Sequence, residues 1–162
     1  MLSTVFLYAH PHTFIDVYPN IKISKDGYIK KVNIKWVMDE MTSSMLIMEF
    51  DDNGDSKINK SENDYIKKNY FLSLKDYDFY MHLKQKYKTK DFFAQIEDNK
   101  IIYNFSIFLN KKIKVKNFTI SFYDTDFFVA MRLKKEFVKQ NIPYKVDDID
   151  GDFYYGYKIT YK

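Results

Sequence analysis

Residues 51–62 read DDNGDSKINKSE, in which oxygen-bearing side chains recur at nearly every second position. In the twelve-residue loop of an EF-hand, oxygen ligands come from positions 1, 3, 5, 7, 9 and 12, and a bidentate glutamate closes the shell. The residues at these positions are Asp51, Asn53, Asp55, Lys57 (through its carbonyl), Asn59 and Glu62. The stretch therefore predicts a hard-cation site that favours Ca²⁺. The alternative is an acidic turn of similar composition that binds no ion.

Two more positions of the loop bear on this interpretation. Position 8 usually carries a branched aliphatic side chain that points into the core, and here it is Ile58. Position 6 is usually glycine because the turn is sharp, whereas this chain has Ser56. A non-glycine residue at positive φ costs roughly 1–2 kcal/mol. We therefore expect the loop to form, but with a reduced affinity for calcium.

Helical patterns flank the loop on both sides, as an EF-hand requires. Upstream, apolar residues recur at i, i+4 and i+7. These are Met41, Met45 and Met48, with Leu46 and Phe50 beside them. Downstream, a polar turn that begins at Ser61 precedes an i+4 repeat. The repeat consists of Ile66, Tyr70 and Leu74. We expect the methionine stripe to pack into the core. The alternative is the adaptable groove of a calcium sensor.

Length and composition predict one domain around this helical hairpin. The chain has 162 residues, of which 46% are hydrophobic, enough for a single core. Its net charge of +4 comes from scattered lysines, so nucleic acid is not an expected partner. We find no window of the ~18 continuous apolar residues that a membrane span needs. The chain has no cysteine, which fits a periplasmic and a cytosolic location equally well.

The rest of the chain alternates with period two, which is typical of half-buried strands. Predicted strands cover residues 14–24, 32–38, 92–96, 101–109, 118–122 and 155–161, and an Asp26-Gly27 turn joins the first two. Residues 134–141 are either a short helix or an irregular segment. The predicted fold is mostly β (α+β): an antiparallel β-sandwich at residues 10–162, with an EF-hand-like helix-loop-helix inserted at about residues 39–75.

The first nine residues, MLSTVFLYA, are apolar and end in a small residue. They are typical of the last part of a secretory signal peptide, although the charged first part is absent. We interpret residues 1–9 as the remnant of such a signal, which predicts a periplasmic protein. The alternative is an ordinary first strand that runs into Phe14.

Cleavage after Ala9 would make His10 the first residue, with His12 two residues later. A free amine and imidazoles are nitrogen ligands that suit Ni²⁺ or Cu²⁺. Pro11 has no amide hydrogen, so a chelate through successive backbone amides cannot form fully. His10 and His12, with His82 as a candidate third ligand, are therefore a candidate transition-metal site. The alternative is that His10 and His12 only open the first strand.

We do not expect an enzyme, although a histidine brace at His10 can support oxidative copper chemistry. We find no cysteine nucleophile, no glycine-rich phosphate loop and no Ser/His/Asp spacing. Two acidic groups are candidate acid-base residues. They are Asp124 with Asp126, and Asp147 with Asp148 and Asp150. We expect them instead to be turn residues or a second weak cation site.

Several motifs together resemble a known family. In order they are AHPHTFID, IKWVMDE, DDNGDSKINKSE, YDFYMHL, YNFSIFL and ISFYDTDFFVAM, and they run from residue 9 to residue 131. They are similar to the bacterial family catalogued as domain of unknown function 1007, described as a periplasmic component of an ABC-type transport system. The family's His-Pro-His start, acidic loop and Tyr-Asp pair fall on His10 to His12, residues 51–62, and Tyr123 with Asp124. The chain departs from the pattern at Ser56 and in its Lys/Tyr-rich segment after Met131.

The resemblance implies a periplasmic accessory protein of nickel, cobalt or copper transport. In this interpretation calcium stabilises the fold, the histidines carry the transition metal, and the partner is a membrane metal permease or exporter. The alternative is a calcium-binding structural or protein-interaction domain that carries no metal cargo.

Overall fold

The computed structural model describes residues 13–126, 128–138, 140, 142–151 and 154–161, and these form nine strands and two α-helices. The strands are β1 (Thr13–Ile23), β2 (Tyr28–Met38), β3 (Met81–His82), β4 (Tyr87–Glu97), β5 (Lys100–Lys114), β6 (Thr119–Phe122), β7 (Val129–Arg132), β8 (Tyr144–Asp150) and β9 (Tyr155–Tyr161). The helices α1 (Glu40–Phe50) and α2 (Lys60–Ile66) lie between β2 and β3. A π-helical segment (Lys67–Phe71) and 3₁₀ segments at Leu72–Tyr80, Val115–Asn117 and Lys135–Phe137 complete the elements. The protein is therefore mostly β, with a few helices.

The larger sheet has five strands in the order β4-β5-β2-β1-β7. β1 and β2 form the predicted hairpin, in which Gly27 takes a φ of 76° and donates its N–H to the Ser24 carbonyl at 2.9 Å. The predicted apolar face of β2 is buried throughout. It consists of Val32, Ile34, Trp36 and Met38. The predicted hairpin of β4 and β5 is also present, turning at Asp98 and Asn99.

One pairing in this sheet departs from the all-antiparallel prediction. β7 lies parallel to β1, with Thr13 opposite Val129 and Asp16 opposite Arg132. Arg132 Nε donates to Asp16 Oδ1 at 2.6 Å across this pair. β7 has only four residues, too few for a period-two pattern to indicate a strand. Its partner residues in β1 lie more than a hundred positions earlier, as with Arg132 and Asp16 at a separation of 116, and no local pattern encodes such a pairing.

The second sheet has four strands in the order β3-β6-β9-β8. β6 and β9 were predicted, whereas β8 was not. Asp147, Asp148 and Asp150 belong to β8 itself, so the expectation that they are turn residues was wrong. Aspartate is depleted in strands, but β8 lies at the edge of its sheet, where side chains remain partly solvated. Ile120 and Ile159 of this sheet and Val17 and Ile107 of the larger sheet join one buried cluster.

The methionine stripe of α1 is exposed, which contradicts the expectation that it packs into the core. Met41, Met45 and Met48 point to solvent, while Thr42, Ser43 and Phe50 are the buried side chains of α1. The Ser43 hydroxyl accepts the Ile101 N–H at 3.0 Å and donates to the Met38 carbonyl. These polar contacts fix the rotation of α1 about its axis. The hydrophobic pattern alone could not predict that rotation.

Downstream of the loop, the predicted apolar repeat does face the core. Ile66 is fully buried, and Tyr70 and Leu74 pack against the same cluster. The helix type changes along this repeat from α to π to 3₁₀. The Asn63 side chain accepts the Ala94 N–H at 2.8 Å, at the point where the register of β4 against β5 shifts. This contact anchors α2 to the larger sheet. None of the helices in the described part of the chain is both long enough and apolar enough to span a membrane.

Candidate functional site

The loop between α1 and α2 is bounded by capped helix ends. α1 ends at Asp51, whose N–H donates to the Ile47 carbonyl at 3.0 Å. α2 begins after Asn59, whose side-chain oxygen accepts the N–H groups of Ser61 and Glu62 at 2.8 and 3.1 Å. The Glu62 carboxylate in turn accepts the Asn59 N–H at 2.8 Å, which completes a capping box. Both ends of the loop are therefore fixed by its own candidate ligands.

Inside the loop, the candidate ligands accept backbone N–H groups from the residues that follow them. The Asp51 carboxylate accepts from Asp55 at 3.1 Å and from Ser56 at 2.8 Å. Asn53 accepts from Asp55 at 2.9 Å, and Asp55 accepts from Lys57 at 2.9 Å. Each bond turns the backbone toward the preceding side chain, so local side-chain-to-backbone bonds hold the shape of the loop.

Glu62 joins the end of the loop to its beginning. One of its carboxylate oxygens accepts the Asp52 N–H at 3.2 Å, across ten residues, and the other accepts the Asn59 N–H. The Glu62 side chain is buried, whereas Asp55 remains exposed to solvent. An ionised carboxylate has about four acceptor positions. Glu62 and Asp51 therefore keep lone pairs after accepting two N–H groups each.

The backbone takes the shape that the sharp turn needs. Ser56 has a φ of 60° and Gly54 a φ of 69°, both in the left-handed region. The serine therefore adopts the conformation that favours glycine, as expected for position 6. Ile58 is partly buried and packs against the hydrophobic core, as expected for position 8.

The residues of the loop fit a hard cation by their chemistry. All candidate donors are carboxylate, amide or carbonyl oxygens, the ligand types that Ca²⁺ prefers. In the described part of the chain, no three His, Cys, Asp or Glu side chains are grouped as a metal site on their own. In the loop the three carboxylates of Asp51, Asp55 and Glu62 face backbone N–H groups. Binding through this set would also use the amides of Asn53 and Asn59.

His82, the third candidate transition-metal ligand, lies at the end of β3. Its Nε2 contacts the Tyr123 carbonyl at 3.0 Å, and its ring stacks on the Tyr123 ring with centroids 3.7 Å apart. Because a carbonyl only accepts, this contact places the proton of a neutral imidazole on Nε2. Nδ1 then carries the free lone pair. Metal-binding histidines commonly have this arrangement, with the second nitrogen held by a carbonyl.

His82 lines a cleft of about 240 Å³, which we call the His82 cleft. Its lining residues are Asp76, Tyr77, Asp78, Tyr80, His82, Tyr123, Asp124, Thr125 and Asp126. Burial, together with the charges of Asp124 and Asp126, raises the pKa of Tyr80 to about 12. The Tyr80 hydroxyl therefore stays neutral at physiological pH. It cannot act as an anionic ligand there unless a metal displaces its proton.

The wall of the His82 cleft contains a strained turn. Asp78, Phe79 and Tyr80 have φ values of 50°, 50° and 53°, three consecutive non-glycine residues in the left-handed region. Opposite them, Asp124 is buried and accepts three backbone N–H groups, from Asp126, Phe128 and Val129, at 3.0 to 3.1 Å. Asp124 thus holds the turn before β7, as expected from its sequence context.

The structure does not test the N-terminal part of the predicted transition-metal site. His10 and His12 lie outside the described residues, as does the candidate signal remnant at residues 1–9. Thr13, the first described residue, pairs with Val129, three residues after Asp126 of the His82 cleft. The lining of the His82 cleft, as far as the structure describes the chain, includes no residue of the candidate calcium loop at 51–62.

Three structurally important polar residues were not identified from the sequence. Asp39 caps α1 and also accepts the Phe14 N–H, Ser43 bridges two strands, and Asn63 anchors α2. An aspartate immediately before a helical pattern is a recognised N-cap, so Asp39 could have been found. The partners of Ser43 and Asn63 are 58 and 31 residues away, and no local pattern reveals them.

Comparison with known proteins gives the same family as the motifs. The family model described as "Protein of unknown function (DUF1007)" matches residues 1–146, most of the chain. The chain belongs to this family. It is also similar to the "Uncharacterized 15.5 kDa protein in trpE 3'region" of Spirochaeta aurantia, with 31% identity over 97 residues. That match covers 56% of this chain and 69% of the Spirochaeta protein. The DUF1007 match includes the acidic loop and the His82 cleft up to Asp126.

Proposed function

We propose that this DUF1007 protein is a calcium-stabilised β-sandwich domain in which residues 39–75 form an EF-hand-like helix-loop-helix. Calcium binds to Asp51, Asn53, Asp55, the Lys57 carbonyl, Asn59 and Glu62. The observation that carries the proposal is the position of Glu62, the twelfth residue, whose carboxylate accepts the N–H of Asp52, the second. This bond brings the twelfth residue next to the beginning of the loop.

The affinity is expected to be low. Only Asp51, Asp55 and Glu62 contribute charge to the ligand set, and Ser56 holds a left-handed φ without being glycine. We expect a dissociation constant on the order of 10⁻⁴ to 10⁻³ M, the range of extracellular calcium modules. Such an affinity suits an environment with millimolar calcium, consistent with the periplasmic location that the resemblance implies.

Thermal unfolding with added calcium tests this proposal. An ion that binds only the folded state raises the melting temperature as its concentration increases. We expect millimolar calcium to raise the melting temperature of the natural protein, and Glu62→Gln to remove most of that rise. Asp64→Asn is the matched control, since it removes one carboxylate from the exposed face of α2, where Asp64 pairs with Lys60. An unchanged melting curve, or equal rises in the two variants, would overturn calcium binding at this loop.

A second candidate function is an accessory role in nickel, cobalt or copper transport, with a membrane permease or exporter as partner. The orientation of His82 favours it, because Nε2 is held by a carbonyl and Nδ1 keeps its lone pair. The family resemblance supplies His10 and His12 as further ligands. In this proposal the transition metal and calcium occupy different sites.

Calorimetric titration with Ni²⁺ tests the second candidate. We expect tight binding to protein that begins at His10 and weaker binding to protein that keeps residues 1–9, because only the first has a free amine beside the imidazole. Binding should weaken below about pH 6 to 6.5 as the imidazoles gain protons. Equal affinities would reject an N-terminal chelate. An undiminished affinity after His82→Ala would remove His82 from the site.

A further inference from the structure

The six methionines of the described chain fall into two classes by exposure. The buried class is Met38, Met81 and Met131, with 5%, 0% and 1% of the residue exposed. The exposed class is Met41, Met45 and Met48, with 63%, 57% and 87% exposed. Methionine is among the residues most often buried, and all three members of the exposed class lie on α1. Their exposure is therefore a property of α1 and not of the methionines in general.

The exposed methionines share one face of α1, which we call the methionine face. Met41 and Met45 are four residues apart, and Met45 and Met48 three apart. Residues at these spacings are neighbours on a helix, with roughly 5–6 Å between their Cβ atoms. A methionine side chain is unbranched and flexible, so its sulfur can move within that gap. The three thioethers can therefore converge above Met45 without any change in the backbone.

The other apolar side chains of α1 do not extend this face. Leu46 and Ile47 are half-buried and pack against the core, and Phe50 is fully buried. The large apolar groups of α1 that stand fully in solvent are thus all thioethers. A general hydrophobic docking surface would be expected to include exposed aliphatic or aromatic groups as well. Since only methionines are exposed here, we expect this face to bind a ligand that prefers sulfur.

The charge of the chain segment that carries the methionine face favours a cation. Residues 36–56 contain six carboxylates and no lysine, arginine or histidine. The carboxylates are Asp39, Glu40, Glu49, Asp51, Asp52 and Asp55. A surface of one sign raises the local concentration of ions of the other sign. The chain has no cysteine, so methionines are its only sulfur ligands.

We propose that Met41, Met45 and Met48 form a binding site for copper(I). Soft thioether sulfur selects copper(I) over the hard ions that oxygen ligands bind. The site differs from the calcium loop in its ligands and from the candidate nickel or copper(II) site in using sulfur instead of nitrogen. It does not rest on calcium binding, because α1 is held by Asp39 and Ser43 through contacts to β1, β2 and β5.

Titration with silver(I) in chloride-free buffer tests the proposal, since silver(I) is an air-stable ion with the same preference for thioethers. We expect one ion per chain. In spectra of protein labelled at the methionine methyl groups, the resonances of Met41, Met45 and Met48 should shift. Those of the buried Met38, Met81 and Met131 should stay in place. The ion should also remain bound at about pH 5, where imidazoles are protonated and thioethers are unchanged.

The triple variant Met41→Leu, Met45→Leu, Met48→Leu separates a metal site from an apolar surface. Leucine keeps the size and apolar character of each side chain and removes its sulfur, so silver binding at pH 5 should be lost while folding is retained. Met131→Leu is the matched control and should bind as the natural protein does. Binding that survives the triple variant, or the absence of binding by the natural protein at pH 5, would overturn the proposal. The titration is run with and without calcium, and the same result is expected in both, because Asp39 and Ser43 hold α1 in place.

Discussion

Two acidic regions of this protein differ in how their side chains come together. In the candidate calcium-loop region, residues 39–66, four of the eight carboxylates (Asp39, Asp51, Asp55 and Glu62) accept a backbone N–H from within twelve residues along the chain. In the His82 cleft, the lining residues come from two segments, 76–82 and 123–126, separated by three strands. The first region is therefore organised by local sequence, and the second by the topology of the sheets.

The difference also concerns backbone strain. The candidate calcium loop, residues 51–62, has one non-glycine residue at positive φ, Ser56, at the position where EF-hand loops usually have glycine. The cleft has three in succession, from Asp78 to Tyr80. Strained conformations persist only where the surrounding structure holds them. Here the Tyr87 hydroxyl bonds to the Asp78 carbonyl at 2.8 Å, and Tyr80 accepts the Tyr123 N–H through its own carbonyl. Tertiary contacts thus maintain the cleft.

Of the substitutions that distinguish the two regions, Asp124→Ala is expected to lower the free energy of unfolding most. This substitution removes the shared acceptor of three backbone N–H groups at a buried position. Hydrogen bonds to a charged group contribute roughly 1.5–3 kcal/mol each, part of which water can replace here. We expect the free energy of unfolding to fall by about 3 kcal/mol, measured by urea denaturation. Asp126→Ala, at an exposed position of the same turn, should change it by no more than about 0.5 kcal/mol. Similar losses in both variants would contradict the role given to Asp124.

The same contrast explains how much the sequence could predict. The left-handed φ of Ser56 and the partial burial of Ile58 follow from local spacing, and the structure has both as expected. The rotation of α1, the parallel strand β7 and the aspartates of β8 depend on partners far away in the chain. Ser43, for example, fixes the rotation of α1 through Ile101, 58 residues later. Hydrophobic periodicity carries no information about such a contact.

An intermediate effect is expected from Asp39→Ala in the calcium-loop region. Asp39 caps α1 through Thr42 and accepts the Phe14 N–H at 2.8 Å, which joins the helix to β1. Loss of an N-cap costs about 1 kcal/mol, and the additional bond to β1 should bring the loss to about 2 kcal/mol at neutral pH.

The pH dependence of this loss has a definite sign. Burial raises the pKa of Asp39, but the hydrogen bonds from Phe14 and Thr42 outweigh burial, so the pKa lies below its usual value. A carboxylate with a lowered pKa in the folded state stabilises that state above its unfolded pKa, about 3.9, and the contribution is lost as pH falls through the folded value. The difference between the natural protein and Asp39→Ala should therefore be full at pH 7 and small near pH 2. A difference that stays constant over this range would show that Asp39 acts only by packing.

The smallest changes in the free energy of unfolding are expected when glycine replaces one strained residue in each region. Ser56→Gly and Asp78→Gly both relieve a left-handed φ at an exposed residue. A side chain there costs roughly 1–2 kcal/mol, but aspartate tolerates the conformation better than serine does, and glycine loses more entropy on folding. We expect gains of up to about 1 kcal/mol for Ser56→Gly and less for Asp78→Gly. Only Ser56→Gly should also tighten calcium binding, measured by the calcium concentration that gives half of the rise in melting temperature. An equal change of calcium affinity in both variants would mean that the two regions are coupled through the fold, and the local character assigned to the calcium loop would be wrong.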